Sequence, residues 1–363
     1  MSAPLVFVAS ILVVWRALLQ LVYDRVVPRA AGLPNVPAAL AWWPRWDGGW
    51  YLSIAQHGYT DYPGLREARA AFFPLYPLAV RALARGLGLS YVLAGVLLSH
   101  AAVVVLAYAL YRIAALQGGA PAGVAAVGCL LVYPSSFFLA GVYAIGPVAA
   151  LMAASTWFGL RRRWWVACTL AGLAGATALT GLVMLPVLAL LYARTDGRRR
   201  VDALWLAACP VGTGAYAAFL WRRFGSATAW FTAERVGWRR HAGLGSLGHL
   251  VLGVRDVFRG SFHDRVIHGY DFVVLVVFLV VAVLLVRDRR WSLGLLVAAV
   301  VCLPAFSGEI TSMNRYALAA FPAFAWAGVR LTRHPLGMLG YGLVCVPALV
   351  GLTAWFLTGR FVG

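Results

Sequence analysis

The chain has 363 residues, of which 62% are hydrophobic and only 12% are charged, and its mean hydropathy is +0.81. A water-soluble globular protein of this size does not have such a composition, so the chain is predicted to be a polytopic membrane protein. The net charge of +19 comes from 31 basic residues, all of them arginine. Because they are scattered between apolar segments, they do not indicate a nucleic-acid partner and instead favour anionic lipid headgroups or a lipid-linked phosphate.

Apolar runs of membrane-helix character occur along the whole chain. They cover residues 4–22, 89–111, 121–141, 143–160, 164–193, 201–221, 270–286, 291–307, 316–330 and 335–357. The run 164–193 would measure about 45 Å as one helix, and Thr180-Gly181 in its middle predicts a break into two short half-spans. The predicted fold is therefore a single all-α domain over 1–363 with about eleven transmembrane helices, plus or minus two.

Short basic connectors set the orientation of these helices. They are Arg161-Arg162-Arg163, Arg194 with Arg198-Arg199-Arg200, Arg287 with Arg289-Arg290, and Arg330 with Arg333. The positive-inside rule places all of them, and with them the N-terminus, on the cytoplasmic side. Two long loops, 23–88 and 222–269, then lie on the outer face. The first apolar run follows no basic region and precedes no small-residue cleavage site, so it is expected to stay as an anchor in the cell membrane.

The first outer loop contains aromatic clusters of the kind that settle between lipid headgroups and hydrocarbon. They are Trp42-Trp43-Pro44, Trp46 to Tyr51, and Phe72-Phe73-Pro74-Leu75-Tyr76-Pro77. From Trp46 onward, helical spacing places Trp50, Ile54 and, less well, His57 on one face. This predicts a short interfacial helix lying flat on the bilayer.

Asp47, in Arg45-Trp46-Asp47-Gly48-Gly49-Trp50-Tyr51, is the leading candidate for a catalytic residue. A carboxylate between aromatic rings at a membrane surface loses hydration, so it must be compensated or used for its basicity. One interpretation makes it a helix N-cap that accepts backbone N–H bonds. The other makes it a catalytic base: the two glycines let another chain or a substrate approach the carboxylate closely, and the flanking indoles suit stacking on sugars.

The aromatic motifs resemble a known family. Arg45-Trp46-Asp47 with Trp50-Tyr51, Ile54-Ala55 and Gly58-Tyr59, followed by Phe72 to Leu78, is similar to the start of the PIG-V family, which contains the GPI mannosyltransferase 2 group and bacterial homologues. Later segments recur in the expected order: Tyr133-Pro134-Ser135-Ser136-Phe137-Phe138 with Tyr143, Trp230-Phe231-Thr232-Ala233 with Trp238-Arg239, and Ser312-Met313-Asn314-Arg315-Tyr316 with Phe321-Pro322.

The resemblance implies a GT-C glycosyltransferase that takes a sugar, typically mannose, from a polyprenyl-phosphate donor and inverts its anomeric centre. In that fold a carboxylate of the first outer loop is the base for the acceptor hydroxyl, and Asp47 occupies the matching position. The chemistry fits these residue types. An acceptor hydroxyl on a lipid or glycan needs a base within hydrogen-bond reach, whereas a phosphate leaving group needs a cation rather than a general acid.

Arginines of two segments are candidates for binding the donor phosphate. Arg315 is the first choice, because an arginine at the outer end of a span must be paired or solvated. The alternative is a structural ion pair with Glu309. Arg239 and Arg240 are further candidates, since Glu234-Arg235 and Trp238-Arg239-Arg240-His241 alternate charges with rings, although a solvated interfacial loop helix explains the same pattern.

The remaining predicted residues would contact the sugar or the acceptor. They are Arg45, Trp46, Trp50, Tyr51, His57, Tyr76, Tyr143, Glu309 and Tyr316. The chain departs from the family pattern at two places: Ile145 stands where an acidic residue is common, and Ala178 stands in the segment Ala178-Leu179-Thr180-Gly181 where an arginine commonly precedes the glycine. These departures put a shared acceptor in doubt and leave a catalytically weakened homologue open.

No metal or other cofactor is expected. The chain contains no Asp-x-Asp pair, and His263, Asp264 and His268 with Asp256 are too irregularly spaced for a metal site. The five cysteines are isolated in apolar stretches and are interpreted as packing residues. Two other functions stay open, namely a transporter or flippase of a lipid-linked anion and a non-catalytic subunit of a glycosylation complex.

Overall fold

The computed structural model describes residues 3–27, 40, 43–60, 68–238, 240, 261–306 and 310–363. Within these ranges the regular structure is helical, without strands. The α-helices are α1 (Ala3–Val26), α2 (Asp47–His57), α3 (Leu75–Leu87), α4 (Tyr91–Val132), α5 (Ile145–Leu160), α6 (Trp164–Thr177), α7 (Met184–Ala193), α8 (Val211–Phe224), α9 (Ala229–Trp238), α10 (Phe262–Arg287), α11 (Trp291–Ala305), α12 (Met313–Tyr316), α13 (Pro322–Leu331) and α14 (Pro335–Leu357). Short 3₁₀ segments cover Ala68–Ala71, Ser136–Leu139, Leu179–Val183, Arg200–Ala208 and Ala317–Ala319.

The predicted all-α polytopic membrane fold is confirmed, with fewer full-length spans than expected. In the described ranges, five helical segments are long and apolar enough to cross a membrane: α1, α4, Arg200–Phe224, α10 and α14. The 42 residues of α4 include a kink at Gly118 and Gly119. The runs 143–160 and 291–307 form helices of only 16 and 15 residues. Such helices are shorter than the roughly 20 residues that a bilayer core of about 30 Å requires.

The predicted break in the long run 164–193 is present. Helix α6 ends at Thr177, Ala178 is extended with φ −162° and ψ 155°, and the 3₁₀ turn Leu179–Val183 leads into α7. At Gly181 a Cβ atom would lie 2.1 Å from the carbonyl carbon of Ala174, so only glycine fits where the turn folds back on α6. Ala178, Leu179 and Thr180 of the break line the cavity described below.

The helices pack around α4. Helix α13 lies along α4, α5 packs between α4 and α6, α10 pairs with α11, and α1 contacts both α4 and α14. Leu106, Leu110, Leu130 and Phe137 are fully buried in this core. The core fixes the ends of these helices relative to each other, and several of those ends form the site described next.

Helix α2 forms as predicted, but it packs against α3. Ile54 is fully buried, and the Arg81 guanidinium donates to the carbonyl oxygens of Ala55 at 2.6 Å and Ile54 at 3.0 Å. His57 at the other end of the helix is exposed. The predicted face of Trp50, Ile54 and His57 is therefore not a single lipid-facing surface, because α3 and its arginine take up the middle of it.

Candidate active site

Asp47 and Arg315 form an ion pair although they are far apart in sequence. Arg315 Nη2 lies 2.8 Å from Asp47 Oδ2, and the two side chains are 9% and 24% exposed. A pair so shielded from water interacts more strongly than one at a surface. Among the described residues, Arg315 is the ion-pair partner of Asp47. Glu309, the alternative partner of Arg315, lies outside the described residues.

The local backbone explains the position of the Asp47 carboxylate at the start of α2. Trp46 is the N-cap of α2, with φ +53°, so Asp47 is the first helical residue and not the cap. The positive end of the helix dipole favours a carboxylate there. A Cβ atom at Gly48 would lie 3.1 Å from the Val142 carbonyl oxygen. At Gly48 the close approach that the sequence predicted is made by the chain itself, whereas at Gly49 the nearest described atom is the Pro44 carbonyl oxygen at 3.8 Å.

Three aromatic rings surround the Arg315 guanidinium. Its Cζ atom lies 5.4 Å from the ring centroids of Phe138 and Tyr143 and 5.5 Å from that of Tyr316. The Tyr143 hydroxyl donates to the Arg45 carbonyl oxygen at 2.6 Å, which ties this ring to the segment before α2. Cation–π contacts of this kind hold an arginine without neutralising its charge.

A second acid–arginine pair lies beside the first. Arg240 donates to the Tyr316 hydroxyl at 3.1 Å and to the Thr311 carbonyl oxygen at 3.2 Å, and its Nε lies 3.6 Å from Glu234. Its guanidinium is 5.7 Å from the Tyr316 ring centroid. Tyr316 therefore contacts both Arg315 and Arg240, and the two cations are held close to one ring.

Two tyrosines at the pair remain neutral phenols over the usual pH range. The pKa of both Tyr51 and Tyr143 is raised well above the ordinary value. Loss of hydration is the main cause, and the nearby Asp47 carboxylate is the second. Each keeps its hydroxyl proton and can act as a hydrogen-bond donor.

The ion pairs open into a cavity of about 530 Å³. Its polar end is formed by Asp47, Tyr51, Tyr143, Glu234, Arg240, Arg315 and Tyr316. The opposite part of the lining, called the apolar end, is mainly hydrocarbon but includes two threonines: it is formed by Ala144, Ile145, Val148, Thr177, Ala178, Leu179, Thr180, Leu303, Pro304 and Phe306. Phe72, Phe73, Trp230 and Phe231 also line it. A cavity of this size accommodates a sugar and part of a larger ligand.

Other predicted residues lie around the cavity. Trp50 stacks on Phe72 at 5.8 Å and meets Trp238 at 6.0 Å. Trp46 is 44% exposed and packs edge-on against Phe361. Tyr76 is buried, with its hydroxyl 3.0 Å from Ser99 Oγ and 3.2 Å from the Gly95 carbonyl oxygen.

The described cavity lining includes neither the exposed His57 nor Arg45, Trp46, Trp50 and Tyr76. The predicted phosphate ligand Arg239 lies outside the described residues, and so do Trp42, His241 and Asp256, which the sequence analysis also named. In the part of the chain that the structure describes, no three His, Cys, Asp or Glu residues are grouped in a way that could hold a metal ion. The sugar-contact roles stay predictions.

The sequence analysis missed a buried polar network behind Arg315. Asp271 of α10 is fully buried and accepts hydrogen bonds from the backbone of Ser312 and from Asn314. The available signal was an acidic residue at the start of the run 270–286, because a carboxylate in a membrane helix needs a specific partner.

The fold is that of a GT-C-like, all-α polytopic membrane protein. Among solved structures, the chain is similar to the apo oligosaccharyltransferase of Archaeoglobus fulgidus, with a TM-score of 0.51 and 12% identity over 98% of this chain and 56% of that one. It is also similar to the archaeal oligosaccharyltransferase AglB from Archaeoglobus fulgidus in complex with an inhibitory peptide and a dolichol-phosphate, with a TM-score of 0.49, 12% identity and the same coverage.

The chain thus spans little more than half the length of these neighbours. No family model and no curated protein matches its sequence. At this level of identity the likeness shows the fold, and the PIG-V assignment remains a resemblance of motifs.

Proposed function

We propose that this chain is a membrane glycosyltransferase that moves a mannose-like sugar from a polyprenyl-phosphate donor to a hydroxyl of a lipid or glycan acceptor, with inversion at the anomeric carbon. The observation that carries the proposal is the Asp47–Arg315 pair in the wall of the cavity. It puts a base and a phosphate-binding cation into one water-restricted site. The GT-C-like fold and the motif resemblance support the same chemistry.

Asp47 is the proposed catalytic base. Its carboxylate lines the cavity and keeps about a quarter of its side-chain surface accessible. The acceptor oxygen attacks the anomeric carbon while its proton passes to Asp47, and the bond from that carbon to the phosphate oxygen breaks with its electron pair going to the phosphate. No general acid is needed, because polyprenyl phosphate leaves as a stable anion.

Arg315 and Arg240 are proposed to bind the donor phosphate. Both line the cavity and both contact Tyr316, so one phosphate group can receive charge-assisted hydrogen bonds from two planar guanidinium groups. Arg239 stays a third candidate on sequence grounds. An incoming phosphate competes with Asp47 for Arg315, which would leave the carboxylate freer to accept the acceptor proton.

The aromatic residues of the cavity are proposed to bind the sugar. Tyr51, Phe72 and Trp230 line the cavity, and sugar faces with axial C–H groups pack on such rings. We further propose that this end of the cavity faces the extracytoplasmic side, as the arginine connectors indicate.

The decisive experiment incubates purified protein in proteoliposomes with labelled polyprenyl-phosphate mannose and a panel of lipid and glycan acceptors. We expect transfer by the wild type and a fall of about 10²- to 10⁴-fold in the Asp47→Asn variant, because the proton acceptor is lost while the shape is kept. Asp288→Asn is the matched control, since Asp288 also pairs with an arginine, Arg330, at 2.9 Å but is more exposed and does not line the cavity.

Folded Asp47→Asn protein that transfers sugar at the wild-type rate would remove this mechanism. Movement of labelled lipid across the bilayer without any sugar transfer would favour the flippase function instead. A requirement for a co-purifying partner would favour the non-catalytic subunit.

A further inference from the structure

Asp271 is a buried carboxylate of α10, and its hydrogen bonds within the described part of the chain all come from one turn. Its Oδ2 accepts from the backbone N–H of Ser312 at 3.1 Å, and its Oδ1 accepts from the backbone N–H and the Nδ2 of Asn314, both at 2.7 Å. The residue is fully buried. A buried carboxylate is tolerated only with such compensation, so these three bonds and the turn are coupled.

The turn that Asp271 holds is a strained one. Ser312 has φ +72° and ψ 11°, a left-handed conformation that is unfavourable for a residue with a side chain. The backbone N–H groups of Arg315 and Tyr316 both donate to the Ser312 carbonyl oxygen, at 3.0 and 3.1 Å. The conformation of Ser312 therefore sets the direction in which Arg315 leaves the backbone.

Asn314, the neighbour of Arg315, is fixed from the other side as well. Ser135 Oγ donates to Asn314 Oδ1 at 2.8 Å, and the Tyr133 hydroxyl donates to the Asn314 carbonyl oxygen at 3.0 Å. Asn314 Nδ2 also reaches the Val362 carbonyl oxygen at 3.0 Å. These contacts link the turn to the segment after α4 and leave it little freedom to rotate.

We propose that Asp271 is a positioning residue for the phosphate site, acting through the Ser312–Arg315 turn. Asp271 is not part of the described cavity lining, so it acts without touching the substrate. It fixes the backbone from which Arg315 reaches Asp47 and the donor phosphate. This role rests on the proposed function in one respect, that Arg315 binds the phosphate of the donor.

The test compares Asp271→Asn with wild type in two measurements. One is the equilibrium binding of polyprenyl phosphate, the sugar-free product, to protein in detergent micelles. The other is the donor KM and kcat per folded molecule. The side-chain NH2 group that Asp271→Asn introduces would face N–H groups of the turn that need an acceptor, so the turn should shift and displace Arg315. We therefore expect polyprenyl phosphate to bind more weakly and the donor KM to rise, each by about tenfold. A merely structural residue would lower the melting temperature and the amount of active protein but leave binding and KM unchanged.

Ser155→Ala is the matched control. Ser155 is equally buried and its Oγ donates to the Ala167 carbonyl oxygen at 2.7 Å between α5 and α6, away from the turn. We expect it to lose stability without loss of polyprenyl-phosphate affinity. Addition of Ser312→Gly to Asp271→Asn should recover part of the affinity, because glycine adopts the left-handed conformation without steric cost.

Tyr133→Phe keeps the test available if Asp271→Asn does not fold. It removes a single hydrogen bond to the turn and should give a smaller loss of affinity of the same kind. The positioning role would be overturned if folded Asp271→Asn bound polyprenyl phosphate with unchanged affinity. If Asp271→Asn does not fold, unchanged affinity in Tyr133→Phe would overturn it. A wild type that does not bind polyprenyl phosphate would also overturn it. Sugar transfer with an unchanged KM in Asp271→Asn would refute this inference alone, whereas weakened phosphate binding without sugar transfer by the wild type would refute the proposed function alone.

Discussion

The two ends of the cavity are built on different principles. At the polar end, Asp47, Arg240 and Arg315 are held by specific ion pairs and hydrogen bonds from distant parts of the chain. At the apolar end, Ile145 and Ala178 contribute hydrocarbon surface from the start of α5 and from the break after α6. The polar end is thus fixed in direction, whereas the apolar end offers shape and area.

In the proposed function, the polar end acts in bond breaking and the apolar end acts in substrate selection. Preorganised charges act on the atoms that react, while a mainly apolar wall with few polar groups discriminates by size and only weakly. Both positions at which the chain departs from the PIG-V pattern, Ile145 and Ala178, line the apolar end. We therefore expect these departures to affect which acceptor, or which prenyl chain of the donor, is bound more than they affect the rate of the chemical step.

The largest effect in the variants that probe this contrast is expected for Arg315→Gln. The change removes the cation nearest Asp47 and leaves that carboxylate without its ion-pair partner, so kcat/KM for the donor should fall about 10²- to 10³-fold. Arg330→Gln is the control, because its pair with Asp288 at 2.9 Å lies where the side chains are 47% and 36% exposed and such pairs contribute little. Similar losses of kcat/KM in both variants would show that the Asp47–Arg315 pair contributes no more to activity than an exposed ion pair.

Arg240→Gln is expected to have the second largest effect. It removes one of two cations at Tyr316 but keeps the Asp47–Arg315 pair, so we expect the donor KM to rise about tenfold with a smaller change in kcat. Arg235→Gln is the control, since Arg235 is exposed on the neighbouring helix α9 and absent from the described cavity lining. A fall in kcat without a change in KM would argue against a role in phosphate binding.

The polar end shows how far the sequence alone could lead. Asp47, Arg315 and Arg240 were predicted from residue type beside aromatic motifs, and they do line one cavity. Their pairing was not predicted, because Asp47 and Arg315 belong to α2 and α12, which are far apart in sequence, and only the tertiary fold brings the two side chains together. Glu309 was the nearer partner in sequence, and nothing in a linear pattern decides between the two.

The apolar end and the support behind the site were harder to predict. The break at Ala178 could be predicted because a run of 30 apolar residues with Thr180-Gly181 in its middle is too long for one span. That the break lines the same cavity as Asp47 depends on how α5, α6 and α11 pack, which hydropathy does not encode. Asp271 was overlooked because two of its three hydrogen-bond donors are backbone N–H groups, which leave no trace in the sequence, and the third, the side-chain amide of Asn314, lies far away along the chain.

At the apolar end, Ala178→Phe is expected to have a moderate and selective effect. The larger ring would occupy part of the cavity, so the KM for a long-chain donor should rise about threefold, with little change in kcat once the donor is bound. Leu173→Phe is the control, because Leu173 lies on α6, the helix that ends just before Ala178, but is 39% exposed and outside the described lining. An equal loss of kcat and kcat/KM in Ala178→Phe would place this end in the chemical step instead.

The smallest effect is expected from a pair of neighbouring glycines beside Asp47. Gly48→Ala puts a methyl group 3.1 Å from the Val142 carbonyl oxygen, whereas Gly49→Ala meets nothing closer than the Pro44 carbonyl oxygen at 3.8 Å. Alanine favours a helix over glycine by up to about 1 kcal/mol, so Gly49→Ala should be neutral or stabilising in thermal unfolding. Gly48→Ala should shift the start of α2 and lower kcat/KM by about threefold, because small displacements of a base reduce catalysis. Equal behaviour of the two variants would mean that the close packing of Gly48 against Val142 does not set the position of the carboxylate.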